Sequence, residues 1–144
     1  LPAGDDFTLP LGRARIERPG SHVTLTAFSR MVGVALEAAE LLAADGIEAE
    51  VINLRSLRPL DLDTILGSVV KTNRLVSVEE GWPFAGIGSE LAALMMEHAF
   101  DDLDAPVRRV SGADVPMPYA RNLEELSLPR MAEVAQAAKD VCYA

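Results

Sequence analysis

Strand-like and helix-like segments alternate along most of the sequence, and this alternation restricts the possible fold more than any other feature. Four short runs are rich in apolar and β-branched residues, which is typical of buried strands; they cover residues 23–28, 49–54, 75–79 and 107–111. Helix-forming residues such as Ala, Leu and Glu dominate between these runs. The alternation predicts an α/β domain with a mostly parallel sheet and helices on both faces.

Capping residues mark the expected helix boundaries. The predicted helices cover residues 30–45, 62–71, 87–100 and about 129–141. Ser29 and Asp61 are suitable N-caps for the first two helices, and Gly46 is a suitable stop for the first. Pro129 suits the first turn of the last helix. Because the first helix has few polar residues, we expect it to be covered on more than one side.

The amino-terminal residues have a different character from the rest. Residues 1–12 contain two prolines and two glycines and predict a linker. They lack the basic start and the apolar stretch of a signal peptide. Residues 13–18 alternate between polar and apolar side chains and predict a short edge strand. The folded domain is therefore expected to cover residues 13–144.

Composition excludes several classes of protein. The 144-residue chain is 49% hydrophobic, which provides a sizeable core and excludes a disordered chain, and its formal net charge is −9. That charge has the wrong sign for a nucleic-acid binder or for a protein that binds anionic membranes. No apolar run approaches the ~18 residues of a membrane span. Cys142 is the only cysteine, so no disulfide framework is possible and an intracellular setting is expected.

The negative charge is concentrated in one part of the sequence. Residues 75–107 contain no Lys or Arg but hold seven carboxylates, namely Glu79, Glu80, Glu90, Glu97, Asp101, Asp102 and Asp104. Two interpretations are open. The carboxylates are either solvated ends of helices and loops, or an acidic docking surface for a basic partner.

The residue types that bind metals or act as nucleophiles form no recognisable motif. His22, His98 and Cys142 are far apart in the sequence and show no metal-ligand spacing. Ser89 follows the second glycine of Gly86-Ile87-Gly88 directly, which differs from the strand-to-helix turn of a serine hydrolase. No metal site and no hydrolytic site are therefore expected.

Two helix starts are candidate anion sites. Gly86 and Gly88 open the third predicted helix, whose free amides are suited to an anion, and Ser29 opens the first. A glycine pair is a weak signal, and a tight loop with close helix packing explains it as well.

The adjacent carboxylates Glu79 and Glu80 also allow two interpretations. They follow a predicted strand, at the end where α/β proteins bind ligands, and a pair of like charges is able to act as an acid and a base. Adjacent strand residues point to opposite faces, however, so that one of them instead pairs with an arginine or caps backbone amides.

Three stretches resemble one known family. Residues 51–61 contain Ile-Asn-Leu-Arg, residues 71–83 contain Glu-Glu-Gly-Trp-Pro, and residues 112–120 contain Asp-Val-Pro-Met-Pro-Tyr. They resemble the carboxyl-terminal half of the beta subunit of the pyruvate dehydrogenase first component, and the resemblance extends over residues 8–144. Branched-chain and acetoin 2-oxo acid dehydrogenases share the fold, but the wording of the motifs is closer to the pyruvate enzymes.

The resemblance implies a fold and a parent activity. The fold is that of a transketolase carboxyl-terminal domain, with three α/β/α layers and a mostly parallel five-stranded sheet that has one antiparallel strand, which residues 13–18 would supply. The parent enzyme uses thiamine diphosphate with magnesium, held by a Gly-Asp-Gly…Asn-Asn pattern of the alpha subunit. This sequence lacks that pattern, and the family's catalytic glutamate belongs to the other half of the beta subunit. No catalytic, metal or cofactor-binding residue is therefore carried over, and the chain alone is expected to be inactive.

The resemblance also implies partners. Such a domain joins two beta subunits in an α2β2 assembly with the alpha subunit, in the bacterial cytoplasm or the mitochondrial matrix. It docks the basic peripheral-subunit-binding module of dihydrolipoamide acyltransferase through an acidic residue, here Asp104, and the terminal carboxylate, here that of Ala144. The loops at 82–84 and 117–119 expose aromatic residues either for subunit contacts or for local packing. An independent anion-binding module with the same fold is the alternative function.

Overall fold

The computed structural model describes residues 8–143, so the expected linker lies partly outside it. The strands are β1 Arg15–Arg18, β2 Val23–Ala27, β3 Ala49–Asn53, β4 Leu75–Val78 and β5 Arg108–Val110. The helices are α1 Met31–Ala44, α2 Leu62–Thr72, α3 Ile87–His98, α4 Arg121–Ser127 and α5 Met131–Cys142, with a 3-10 turn at Phe100–Asp102.

The five strands form one mixed sheet in the order β1-β3-β2-β4-β5. Strand β1 is antiparallel to β3, and the other neighbours are parallel. The expected mostly parallel sheet with one antiparallel strand is therefore confirmed, with residues 15–18 as that strand. Strands β1 and β5 are the two edges.

Helices cover both faces of the sheet and complete three layers. Helices α1 and α5 pack on the face formed by Leu25, Val51 and Val76. Helices α2 and α3 pack on the other face, against Ile52 and Leu75. The apolar helix α1 contacts the sheet and α5 together, as its composition predicts.

The helix starts agree with the sequence in part. The side chain of Asp61 accepts a hydrogen bond from the Thr64 amide at 3.3 Å and caps α2, as expected. Ser29 does not cap α1, because the helix begins one residue later and Ser29 itself adopts a φ of +54°. Pro129 lies outside α5, since that helix begins at Met131 after the N-cap Arg130. Helix α4 was not expected.

The membrane expectation was tested on the helices described between residues 8 and 143. None of them has the length and the apolar composition needed to cross a bilayer.

Candidate functional site

Asp104 lies in a turn that is hydrogen-bonded to the end of α2, at the end of the sheet where the parallel strands begin. The Asp104 amide donates to the carbonyl oxygen of Asn73 at 2.9 Å. Asn73 closes α2 in a left-handed conformation, and its side-chain amide donates to the carbonyl oxygen of Asp102 at 2.8 Å. These two bonds fix the backbone on both sides of the Asp104 carboxylate.

Arg74 and Tyr143 connect this turn to the last turn of α5. The Arg74 guanidinium contacts the Asp104 carboxylate at 3.0 Å and donates to the carbonyl oxygen of Val141 at 3.0 Å. The Tyr143 hydroxyl donates to the backbone carbonyl of Asp104 at 3.0 Å. Asp104 and the carboxyl-terminal turn are thus brought together. Ala144, the other expected docking residue, lies outside the described residues.

An apolar groove of about 510 Å³ opens beside Asp104. Its lining includes Met96 and Phe100, which are 55% and 62% exposed. Asp101 borders the groove and is exposed to solvent. Exposed apolar area bordered by carboxylates is typical of an interaction surface for a partner that carries cations. We call this groove together with Asp101 and Asp104 the acidic face.

Two residues in or beside the acidic face, Arg74 and Phe100, were not singled out from the sequence. Arg74 immediately precedes the stretch without Lys or Arg, and this position at its border was the available signal. No feature of the sequence indicated that Phe100 is exposed beside Asp104, because its exposure depends on how α3 ends in the 3-10 turn.

The paired carboxylates Glu79 and Glu80 lie on different sides of the sheet and do not act on a common site. Glu79 is buried, and its two oxygens accept the amides of Ile87 and Gly88 at 2.9 and 3.0 Å. Glu80 pairs with Arg30 at 3.4 Å. The structure therefore fits the structural interpretation of this pair, with one carboxylate as helix cap and the other as ion-pair partner.

The glycines at the start of α3 serve close packing. A Cβ on Gly88 would lie 2.4 Å from the Ser77 hydroxyl, and one on Gly86 would lie 2.7 Å from both Glu79 oxygens. The amides expected to meet an anion already face the Glu79 carboxylate, so an added anion would have to displace it. Ser29 is exposed, and α1 has no side-chain cap.

Hydrogen bonds join the two loops that expose aromatic residues. These loops lie at the end of the sheet where the parallel strands terminate, opposite Asp104. The Trp82 indole donates to the carbonyl oxygen of Val115 at 3.0 Å, and the Gly112 amide donates to Gly81 at 2.9 Å. Trp82 is nevertheless 54% exposed, and Phe84 is 83% exposed. Fixed loops that expose large aromatic side chains are characteristic of protein interfaces.

The residues considered as metal ligands form no site in the part of the chain that the structure describes. His22 and Cys142 do approach each other, with 3.8 Å between the Cys142 sulfur and the His22 carbonyl oxygen. The Nδ1 atom of His22 accepts the Glu48 amide at 2.8 Å, and burial raises the pKa of the Cys142 thiol. His98 instead lies beside Glu97, at 3.8 Å. Between residues 8 and 143 no group of three or more His, Cys, Asp or Glu is placed to hold a metal.

This fold, with its antiparallel edge strand and three layers, defines a transketolase-type domain. The family model described as "Transketolase, C-terminal domain" matches residues 12–134, and the chain belongs to that family. The solved structure of "Split gene transketolase, inactive beta4 tetramer" has the same fold, with a TM-score of 0.82 at 30% identity. The alignment covers 97% of this chain and 44% of that one.

Within the family, the chain is similar to beta subunits of pyruvate dehydrogenase, which confirms the resemblance found in the motifs. It is 58% identical over 137 residues to the mitochondrial pyruvate dehydrogenase E1 component subunit beta-1 of Oryza sativa subsp. japonica. That match covers 95% of this chain and 37% of the relative. The corresponding subunit of Rhizobium meliloti (strain 1021) is 53% identical over 143 residues, 99% of this chain and 31% of the relative. The chain thus spans about a third of the length of these relatives.

Proposed function

We propose that the chain is the assembly and docking domain of a pyruvate dehydrogenase beta subunit. The parent enzyme carries out thiamine-diphosphate-dependent oxidative decarboxylation of pyruvate and transfers the acetyl group to lipoyl groups. This domain contributes contacts with the alpha subunit and a second beta subunit in an α2β2 assembly. It also docks the basic peripheral-subunit-binding module of dihydrolipoamide acyltransferase. The mitochondrial and bacterial relatives support a mitochondrial matrix or a bacterial cytoplasm as its location.

The contact between Asp104 and the carboxyl-terminal turn carries the docking proposal. Arg74 contacts one oxygen of the Asp104 carboxylate, and the side chain is 54% exposed, which leaves room for a cation of the partner. The Tyr143 hydroxyl holds the turn from the other side, next to Ala144 in the chain. A basic module would therefore meet the Asp104 carboxylate and an apolar groove on one surface, beside the last turn of α5. Such charge complementarity speeds encounter and fixes orientation.

The aromatic loops support the assembly proposal. They lie at the opposite end of the parallel strands from Asp104, so that subunit contacts there leave the acidic face free. Phe84 and Tyr119 extend almost entirely into solvent, although neighbouring parts of the same loops are hydrogen-bonded. The name of the solved transketolase neighbour describes a tetramer of beta chains, and this supports association through such a domain.

Thiamine diphosphate and magnesium would be held by the rest of the parent enzyme. The sequence has no Gly-Asp-Gly…Asn-Asn pattern, and the described residues bring together no metal-binding cluster. The residues of this chain therefore do not fit the cofactor, and the decarboxylation step is assigned to parts of the enzyme outside it.

Calorimetric titration of the chain with the isolated basic module tests the docking proposal. We expect Asp104→Ala to weaken binding by about tenfold and to flatten its salt dependence, because one partly desolvated charge contact is lost. Asp114→Ala is the matched control, since it removes the same charge from an exposed residue elsewhere. Equal affinity of the Asp104→Ala variant and the parent chain at every salt concentration would refute the docking proposal.

A further inference from the structure

Four arginines lie close together where β1 begins and β3 ends, at the opposite end of the parallel strands from the acidic face. Together with the apolar groove beside them they form what we call the arginine corner, and they are Arg13, Arg15, Arg55 and Arg58. This local excess of positive charge occurs in a chain whose formal net charge is −9. The proposed docking function makes no use of it.

Backbone pairing brings the four arginines together. Arg15 lies opposite Asn53 in the antiparallel register of β1 and β3. The Gly12 amide donates to the Ser56 hydroxyl at 3.0 Å, which keeps the chain before β1 against the 55–58 turn. The Arg55 amide donates to the Asn53 side chain at 3.1 Å and fixes Arg55 in a left-handed conformation, with a φ of +58°.

Three of these charges have no carboxylate partner among residues 8–143. Arg15 pairs with Glu17 at 3.2 Å, but no carboxylate lies within 4 Å of the guanidinium of Arg13, Arg55 or Arg58 in this part of the chain. All three are exposed. The nearby carboxylate of Asp61 is buried and already accepts the Ala14 amide and the Thr64 hydroxyl, each at 2.9 Å.

The apolar groove beside the arginines lies between the 57–60 turn and α3 and has a volume of about 680 Å³. Arg58 borders it, and Leu57 and Pro59 contribute exposed apolar surface. Glu90 of α3 is the one carboxylate among the described residues that line it. Positive charge along one side of an apolar groove fits a chain segment with apolar residues between carboxylates.

We propose that the arginine corner binds an acidic segment of a partner polypeptide, anchored by an apolar side chain in the groove. A free phosphate is less well suited, because the arginines are exposed side chains spread along two segments and the adjoining groove is apolar. A nucleic acid would meet the repulsion of the whole negatively charged domain. The domain would then engage partners of opposite charge at the two ends of its strands.

Fluorescence anisotropy tests this proposal with a labelled peptide in which glutamates flank a leucine, and with a matched peptide that has glutamine in place of glutamate. We expect the glutamate peptide to bind at about 25 mM salt and much more weakly at about 200 mM. Arg13→Gln/Arg58→Gln should weaken binding about five- to tenfold, because each exposed charge contributes a modest attraction. Neither side chain makes a hydrogen bond within the described residues, so the fold should be retained, which a melting curve checks.

The control variant Arg108→Gln/Arg121→Gln removes the same charge from exposed positions elsewhere and should bind the peptide like the parent chain. Equal binding of both peptides, or equal weakening by both double variants, would overturn the proposal. Displacement of the peptide by millimolar inorganic phosphate would instead identify a phosphate site.

Discussion

Glu50 is a buried carboxylate whose charge depends on a single cation. It is 1% exposed and lies in β3 beneath α2. One oxygen accepts from the Lys71 ammonium and from the Gly20 amide, and the other has no hydrogen-bond partner. We predict that Lys71→Met, which keeps the length of the side chain and removes its charge, destabilises the domain through this uncompensated carboxylate.

The expected loss follows from the burial of the two partners. Removing one partner of a fully buried ion pair costs about 3–5 kcal/mol. Because the Lys71 side chain is 47% exposed, water already weakens the pair, and we expect a loss of about 2 kcal/mol. For a domain of this size that corresponds to a fall in Tm of about 4–8 °C.

The pH dependence gives this prediction a specific signature. Burial opposes ionisation of Glu50, but hydrogen bonds from Lys71 and the Gly20 amide hold its pKa below the usual value. In the parent chain the ionised carboxylate therefore contributes stability above the unfolded pKa of about 4.3, and this is lost as the pH falls through the folded pKa. Without Lys71 the effect of burial remains and the folded pKa rises. The free energy of unfolding of the Lys71→Met variant should thus be only slightly below that of the parent chain near pH 4, and this deficit should increase towards pH 7.

Urea denaturation followed by circular dichroism between pH 4 and pH 8 measures this deficit. Lys139→Met is the matched control, because Lys139 pairs with Asp45, whose side chain is 53% exposed, and should contribute about 0–1 kcal/mol. Adding Glu50→Gln to Lys71→Met should recover part of the loss. Equal losses for the two lysine variants, or a deficit that does not change with pH, would refute the reasoning.

Two further predictions concern residues at the end of the sheet where the parallel strands terminate. Glu79→Gln should cost about 1–3 kcal/mol in urea denaturation, because one of two buried amides loses its charged acceptor, whereas the neighbouring Glu80→Gln should cost at most about 1 kcal/mol; equal losses would contradict the capping role. Phe84→Ser/Tyr119→Ser should leave Tm within about 2 °C of the parent but weaken self-association at least about tenfold in sedimentation analysis. Unchanged association would remove the aromatic loops from the proposed subunit contacts.

The central strands were predictable because their residues are buried on both faces of the sheet. In β2, β3 and β4 nearly every residue is buried, so these strands appear as short apolar runs that few other structures explain. Helix α4 was not predictable on the same grounds. It is seven residues long, has no side-chain cap and buries only Ser127, so neither periodicity nor capping marked it.

The acidic face was predictable only in part. The family resemblance singled out Asp104, and the lack of Lys and Arg in residues 75–107 agrees with it, but neither indicated the residues that hold Asp104 in place. Arg74 reaches Asp104 across 30 positions, and Tyr143 reaches it across 39. Such contacts depend on how α5 packs against the sheet, which local sequence patterns do not report. The arginine corner has the same character, since its members come from two segments that meet only through β1 and β3.

The position of the surfaces follows from the architecture itself. Helices cover both faces of the sheet, so only the ends and edges of the strands are left to meet other molecules. Asp104 lies where β4 begins, whereas Phe84 and Arg55 lie beyond the ends of β4 and β3. We infer that the sheet acts as a rigid spacer that holds surfaces of different chemistry apart. A variant that disturbs one end, such as Asp104→Ala, should therefore leave self-association through the other end unchanged.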